Sequence, residues 1–128
     1  MFPSIALFGE AEKGEYNKGY MCQNVAELMD SFGNPPPESM GLFYATQALL
    51  YNYTLVYFRV QEEGFSTPDY LRGIKILSES PVIRNISAIC TPGVGDKNIL
   101  DAIIPLCCAY HQILITSERD LFDYLMNL

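Results

Sequence analysis

Four short apolar runs, each separated from the next by a helical pattern, constrain the fold of this chain most. Runs that are apolar along their whole length are typical of strands buried on both faces of a parallel sheet. The sequence therefore predicts an α/β doubly wound, three-layer sandwich of the flavodoxin-like or Rossmann-like kind, with about four parallel strands in the order 2-1-3-4 and five helices. The runs occupy residues 4–8, 54–60, 85–91 and 112–116.

Helix boundaries are marked by residues that begin or end helices. Thr67, Asp96 and Ser117 each stand where an N-cap belongs, and Pro37 suits the first turn of a second helix. Pro105 is expected to kink or shorten the fourth helix. Two helices between the first two strands are an addition to the simple alternating pattern. The five helical segments lie within residues 22–33, 38–52, 65–80, 92–110 and 117–128.

Composition limits the class of protein and its partners. The 128 residues suit a single domain, residues 1–128, with its own core. The net charge is −7 with eight Lys and Arg residues, which argues against nucleic acid and against an anionic membrane surface. The sequence shows neither a secretory signal pattern nor an apolar stretch long enough to span a bilayer. Cytoplasmic localisation is the expectation.

The cysteines and the single histidine do not form a metal-binding or catalytic pattern. Most of the four cysteines, at positions 22, 90, 107 and 108, lie in apolar runs, which indicates buried free thiols. A reactive Cys22 at a helix N-terminus is the less favoured alternative. His111 precedes the fourth predicted strand, at the end of the sheet opposite a ligand site. We therefore expect no metal and no cofactor.

Ligands of open parallel sheets bind beyond the carboxyl ends of the strands, where the strand order reverses. Two loops, residues 9–20 and 91–96, are predicted to meet there. The first loop lacks the Lys and Ser or Thr of a phosphate-binding loop, because Glu15 and Tyr16 follow Gly14, and its glutamates would repel phosphate. A polar loop of no special function is the favoured interpretation. Candidate ligand-binding residues are Gly9, Lys13, Gly14, Thr91, Gly93, Gly95, Asp96 and Ser117.

Paired carboxylates are the remaining candidates for catalysis. Glu10 or Glu12 of the first loop is placed to face Glu62 or its neighbour after the second predicted strand, near Arg59. A glutamate beside a second carboxylate acquires a raised pKa and is suited to acid or base work. The alternative is that Arg59 and one of these glutamates form an ordinary ion pair that fixes a loop.

Two hypotheses follow. The first is a non-catalytic binding or assembly module that acts by self-association, as a homo-oligomer, or with a protein partner. A small-ligand site at the carboxyl ends of the strands is optional in this hypothesis. The second is an enzyme that acts on a small polar substrate, such as a nucleoside or nucleotide derivative, through Glu10, Glu12, Arg59 and Glu62. The first is favoured because catalytic signatures are missing, and a tyrosine-rich edge beside the second helix offers a surface for association.

Overall fold

A computed structural model describes residues 4–126 of the chain. Strands and helices alternate along most of it, and a short 3₁₀ helix, Pro81–Asn85, follows the third helix. The strands are β1 Ser4–Gly9, β2 Gly19–Cys22, β3 Thr54–Arg59, β4 Ile86–Cys90 and β5 Ile113–Ile115. The helices are α1 Val25–Phe32, α2 Gly41–Leu50, α3 Thr67–Glu79, α4 Lys97–Tyr110 and α5 Glu118–Met126. The last two residues of the predicted fifth helix lie outside the described range.

The sheet has the order β2-β3-β1-β4-β5. β1 pairs in parallel with β3 on one side and with β4 on the other, and β4 pairs in parallel with β5. These four strands are the four predicted runs in the predicted order, so the fold class is confirmed. β2 was not predicted. It pairs antiparallel to β3 and makes the sheet mixed.

The sheet separates two apolar layers. On one face, α1, α2 and α5 pack over alternate residues of the strands, including Ile5, Leu55 and Tyr57. On the other face, α3 and α4 cover the opposite alternation, including Phe8 and Ile89. Helices on both faces of a mostly parallel sheet are the three-layer arrangement that the alternating pattern predicts.

The tyrosine-rich edge is largely part of the core. Tyr44, Tyr53 and Tyr57 are buried among the apolar residues under α1, α2 and α5. Tyr51 is exposed at the end of α2. The tyrosines therefore do not form the contiguous surface for association that the sequence suggested.

The helix ends match the sequence at some places and differ at others. Asp96 caps α4 by accepting bonds from the N–H groups of Asn98 and Ile99, and Ser117 caps α5, as predicted. The cap of α3 is Ser66 rather than Thr67, one residue earlier. α2 begins at Gly41, later than the expected start near Pro37.

Pro105 does not end α4, which continues to Tyr110. A proline in a helix removes the bond to the carbonyl four residues earlier. That residue, Asp101, is exposed, so water can satisfy its carbonyl. Between residues 4 and 126, no helix has both the length and the apolar character needed to cross a membrane.

Candidate functional site

A cleft of about 430 Å³ opens beyond the carboxyl ends of the parallel strands. Its walls come from the loops after β1, β3 and β4 and from the connection between α1 and α2. One group of lining residues is acidic: Glu10, Glu38, Glu62 and Glu63. A second group is apolar or aromatic: Pro37, Met40, Tyr44, Phe65 and Pro92, with Gly93 beside them.

Glu63 holds three parts of this cleft together. Its Oε1 accepts hydrogen bonds from the backbone N–H of Glu10 (3.1 Å) and Gly41 (2.9 Å). Its Oε2 accepts one from the N–H of Met40 at 2.6 Å. Met40 is the N-cap of α2 and makes no side-chain cap of its own. The Glu63 carboxylate therefore supplies from a distant loop the cap that α2 lacks, where the helix dipole also favours negative charge.

Glu10 and Glu63 exchange hydrogen bonds in both directions. The N–H of Glu63 donates to Oε2 of Glu10 at 2.9 Å, while the N–H of Glu10 donates to Glu63. The pKa of the Glu63 carboxyl lies above its usual value, because burial raises it by more than the backbone hydrogen bonds lower it. Both carboxylates thus fasten the loop after β1 to the loop after β3.

Two glycines allow α2 to approach the end of β1. A Cβ on Gly9 would lie 2.7 Å from Cα of Gly41 and 2.8 Å from Oε1 of Glu63, and it would also collide with the Tyr57 hydroxyl. Tyr57 is fully buried, and its hydroxyl donates to the Glu10 carbonyl at 2.9 Å. Gly9 is therefore required by packing beneath the cleft.

Glu38 and Glu62 are the exposed carboxylates of the cleft, and no hydrogen bond or ion pair of their carboxylates is found within residues 4–126. Glu38 has a backbone φ of 65°, in the left-handed region that residues other than glycine rarely adopt. A strained residue at the rim of a cleft is a common feature of binding sites. Of the four carboxylates that line the cleft, those of Glu38 and Glu62 are the ones exposed to solvent.

Glu38→Gly tests this assignment. Glycine relieves the left-handed strain at φ 65° but loses more backbone entropy on folding, so we expect the free energy of unfolding to rise by about 0.5 kcal/mol. Urea unfolding measures the change. Asn52→Gly is the matched control, because Asn52 has φ 69° and lies outside the cleft. A clear loss of stability in Glu38→Gly alone would show that the Glu38 side chain stabilises the fold.

Arg59 lies outside the cleft and holds the first loop. Its guanidinium donates to the carbonyl of Gly14 at 2.6 Å and to that of Ala11 at 3.0 Å, and it lies 4.3 Å from the ring centroid of Tyr16. Glu12 is also elsewhere, with its carboxylate accepting the N–H of Asn34 at the end of α1. The structure thus brings Glu10 and Glu62 into one cleft and leaves Arg59 and Glu12 apart from it.

The other candidate ligand-binding residues are divided between the cleft and structural positions. Gly93 lines the cleft and adopts a φ of 77°. Lys13 is exposed, and its N–H donates to the carbonyl of Phe32. Thr91 is fully buried, and its hydroxyl has no partner within the described part of the chain. Gly9, Gly14, Gly95, Asp96 and Ser117 do not line the cleft. Their predicted ligand roles stay predictions.

The cysteines and the histidine lie apart from the cleft lining. Cys22, Cys90 and Cys107 are buried and Cys108 is exposed. Burial raises the pKa of Cys22 to about 11, the opposite of the lowered value that a helix N-terminus would give. His111 ends α4 and is exposed. Among residues 4–126, no group of three or more His, Cys, Asp or Glu is arranged to hold a metal ion.

Sequence reasoning missed most of the apolar wall and the connection between α1 and α2. The connection before α2 contributes Pro37, Glu38 and Met40 to the cleft. No local sequence pattern predicts that these residues lie near the carboxyl ends of the strands. The run of three prolines, residues 35–37, was the available signal, since it fixes an irregular connection. The sequence predicts Glu62 or Glu63 at this end of the sheet, and the structure gives the capping role to Glu63.

Comparisons of the chain with protein-family models, with curated proteins and with solved structures found no match.

Proposed function

We propose that this chain is a non-catalytic binding module whose cleft takes a small organic cation. The observation that carries the proposal is the composition of the cleft wall: four glutamates and no Lys or Arg among the described residues that line it. A cleft lined by one sign of charge concentrates ligands of the opposite sign. The ligand class that fits is an ammonium group on an apolar body.

The apolar wall supports an organic cation over an inorganic one. Tyr44 and Phe65 provide aromatic side chains beside the carboxylates, and Phe65 is 75% exposed. Aromatic faces attract ammonium groups, and a large exposed apolar side chain at a cleft rim is available to a ligand. Burial raises the pKa of Tyr44 to about 12, so its phenol is neutral at physiological pH.

The hydrogen bonds of Glu10 and Glu63 support binding over catalysis. Glu63 accepts three backbone N–H groups and Glu10 accepts one from the opposite loop. A general acid or base must present its carboxyl to the substrate, whereas these carboxylates are engaged in positioning loops. Glu38 and Glu62 supply the negative charge that faces the cleft.

A matched series of benzylammonium, benzyl alcohol and benzoate tests the proposal by calorimetric titration. We expect the cation to bind at least roughly tenfold more tightly than the neutral alcohol, and benzoate to bind most weakly. Affinity should fall with added salt because the cleft is open to solvent. Glu62→Gln should weaken the binding of the cation, while Glu79→Gln, at an exposed position at the far end of α3, should not.

Equal binding of all three compounds, or preference for benzoate, would contradict a cation site. The enzyme alternative makes a different prediction. Conversion of a nucleoside by the wild-type protein, with loss of turnover in Glu10→Gln at unchanged stability, would support the enzyme and contradict a non-catalytic module.

A further inference from the structure

The connection between α1 and α2 reaches the cleft as a short, stiff segment. Residues 34–40, the strap, contribute Pro37, Glu38 and Met40 to the cleft wall. Three consecutive prolines, residues 35–37, fix their own backbone φ and restrict the residue before each of them. A run of prolines behaves as a semi-rigid spacer. A displacement of one end of the strap is therefore expected to move the other end as well.

Carboxylates of two other loops hold the two ends of the strap. At its start, the N–H of Asn34 donates to Oε1 of Glu12 at 3.2 Å. At its end, the N–H of Met40 donates to Oε2 of Glu63 at 2.6 Å. The other hydrogen bond that a backbone N–H group of the strap donates, among residues 4–126, stays within the strap. The backbone donors of the strap thus bind the neighbouring loops at its two ends.

Glu12 is fitted to the start of the strap by a glycine and by a second hydrogen bond. Its own N–H donates to the carbonyl of Phe32, the last residue of α1, at 3.1 Å. Gly33 makes room for its side chain, because a Cβ there would collide with Oε1 of Glu12. Gly33 also has φ 73°, a conformation that favours glycine. Glu12 therefore binds both the end of α1 and the start of the strap, although it does not line the cleft.

We propose that Glu12 and Glu63 are positioning residues for the cleft: by holding both ends of the strap, they fix Glu38 in the cleft wall before a ligand binds. The φ of 65° at Glu38 supports this, since a residue other than glycine keeps such a conformation only where the surrounding structure enforces it. A wall fixed in advance spares the ligand the cost of ordering it. The effect on ligand affinity rests on the proposed cation site, whereas the fixing of the strap does not.

Backbone ¹⁵N relaxation of the ligand-free protein tests whether the strap is fixed. In the wild type, the amides of Glu38 and Ser39 should have order parameters of about 0.85, the value of rigid backbone. Glu63→Ala should lower both toward about 0.6, where flexible segments begin, because the end of the strap loses its acceptor. Values below about 0.6 in the wild type, or unchanged values in Glu63→Ala, would overturn the proposal.

Glu12→Ala and Glu12→Gln separate the hydrogen bond of this side chain from its charge. Both remove the negative charge, but glutamine keeps an oxygen that accepts the N–H of Asn34. We expect lower order parameters at Asn34 and Glu38 in Glu12→Ala and wild-type values in Glu12→Gln. Glu15→Ala is the matched control, since Glu15 is an exposed glutamate of the same loop whose carboxylate makes no hydrogen bond within the described residues. Loss of order in both Glu12 variants, or in neither, would overturn the role of Glu12.

Titration of the same variants with benzylammonium connects the strap to the cleft. The apparent affinity of a ligand falls with the fraction of molecules in which its site is assembled, so Glu12→Ala should bind roughly threefold more weakly than Glu12→Gln. Equal affinities, with the strap loosened in Glu12→Ala alone, would overturn the positioning of the cleft by Glu12. A wild type that does not bind benzylammonium would contradict the cation site instead, and the relaxation result would still decide whether the strap is fixed.

Discussion

Gly9→Ala is expected to lower the free energy of unfolding by about 3 kcal/mol, the upper part of the range for overpacking a core. The added Cβ would meet Cα of Gly41 at 2.7 Å, and that backbone atom moves only if the start of α2 moves. It would also meet Oε1 of Glu63, which caps the same helix. Urea unfolding should show a lower midpoint with an unchanged slope.

Gly95→Ala is the control for this change. An added Cβ at Gly95 has nothing within 4 Å, so its effect should stay within about 0.5 kcal/mol. Gly41→Ala should repeat the loss seen for Gly9→Ala, because its Cβ would meet Cα of Gly9 at 2.7 Å. A Gly9→Ala protein as stable as the wild type would mean that α2 does not approach β1 as described.

Glu63→Ala is expected to cost about 3 kcal/mol of stability. The change leaves three backbone N–H groups at the start of α2 and at the end of β1 without their acceptor. Each unsatisfied group costs about 1–3 kcal/mol where water cannot replace the partner, and water reaches part of this site. Thermal or urea unfolding measures the loss, with Glu62→Ala as control. The exposed side chain of Glu62 should contribute within about 0.5 kcal/mol.

The pH dependence of stability gives the same carboxyl a second readout. Burial raises the pKa of Glu63 in the folded protein, so just above the usual glutamate pKa of about 4.3 the folded state binds more protons than the unfolded state. The contribution of this group to stability therefore falls as the pH rises through that window. The stability difference between wild type and Glu63→Gln should shrink over the same range. A difference that grows with pH would mean that the folded pKa is lowered.

The parallel core of the fold was predictable, because each strand carries its own signal. Runs such as residues 54–60 are apolar at most positions, and burial on both faces favours this whatever their neighbours are. β2 has no such signal. It is four residues long and only its last residue, Cys22, is buried, so its assignment depends on pairing with Val56 and Phe58. Pairing partners distant in sequence are not visible in local periodicity.

The site was predictable in position but not in its parts. The rule for open parallel sheets placed a cleft at the carboxyl ends, and Glu10, Glu62 and Gly93 do line one there. Which glutamate faces the cleft and which caps a helix depends on the approach of α2 to Gly9. That approach is a tertiary contact. The role of Arg59 was not predictable for the same reason. Its guanidinium binds backbone carbonyls of the first loop, and backbone acceptors leave no pattern in the sequence.

A titration of the ¹⁵N-labelled protein with benzylammonium, followed by amide chemical shifts, locates the bound cation. We expect saturable shifts at Glu38, Glu62 and Gly93, around the cleft, and the same shifts reduced in Glu62→Gln. Absence of saturable shifts at millimolar concentration, or shifts confined to another face of the molecule, would contradict a cation-binding cleft at the carboxyl ends of the strands.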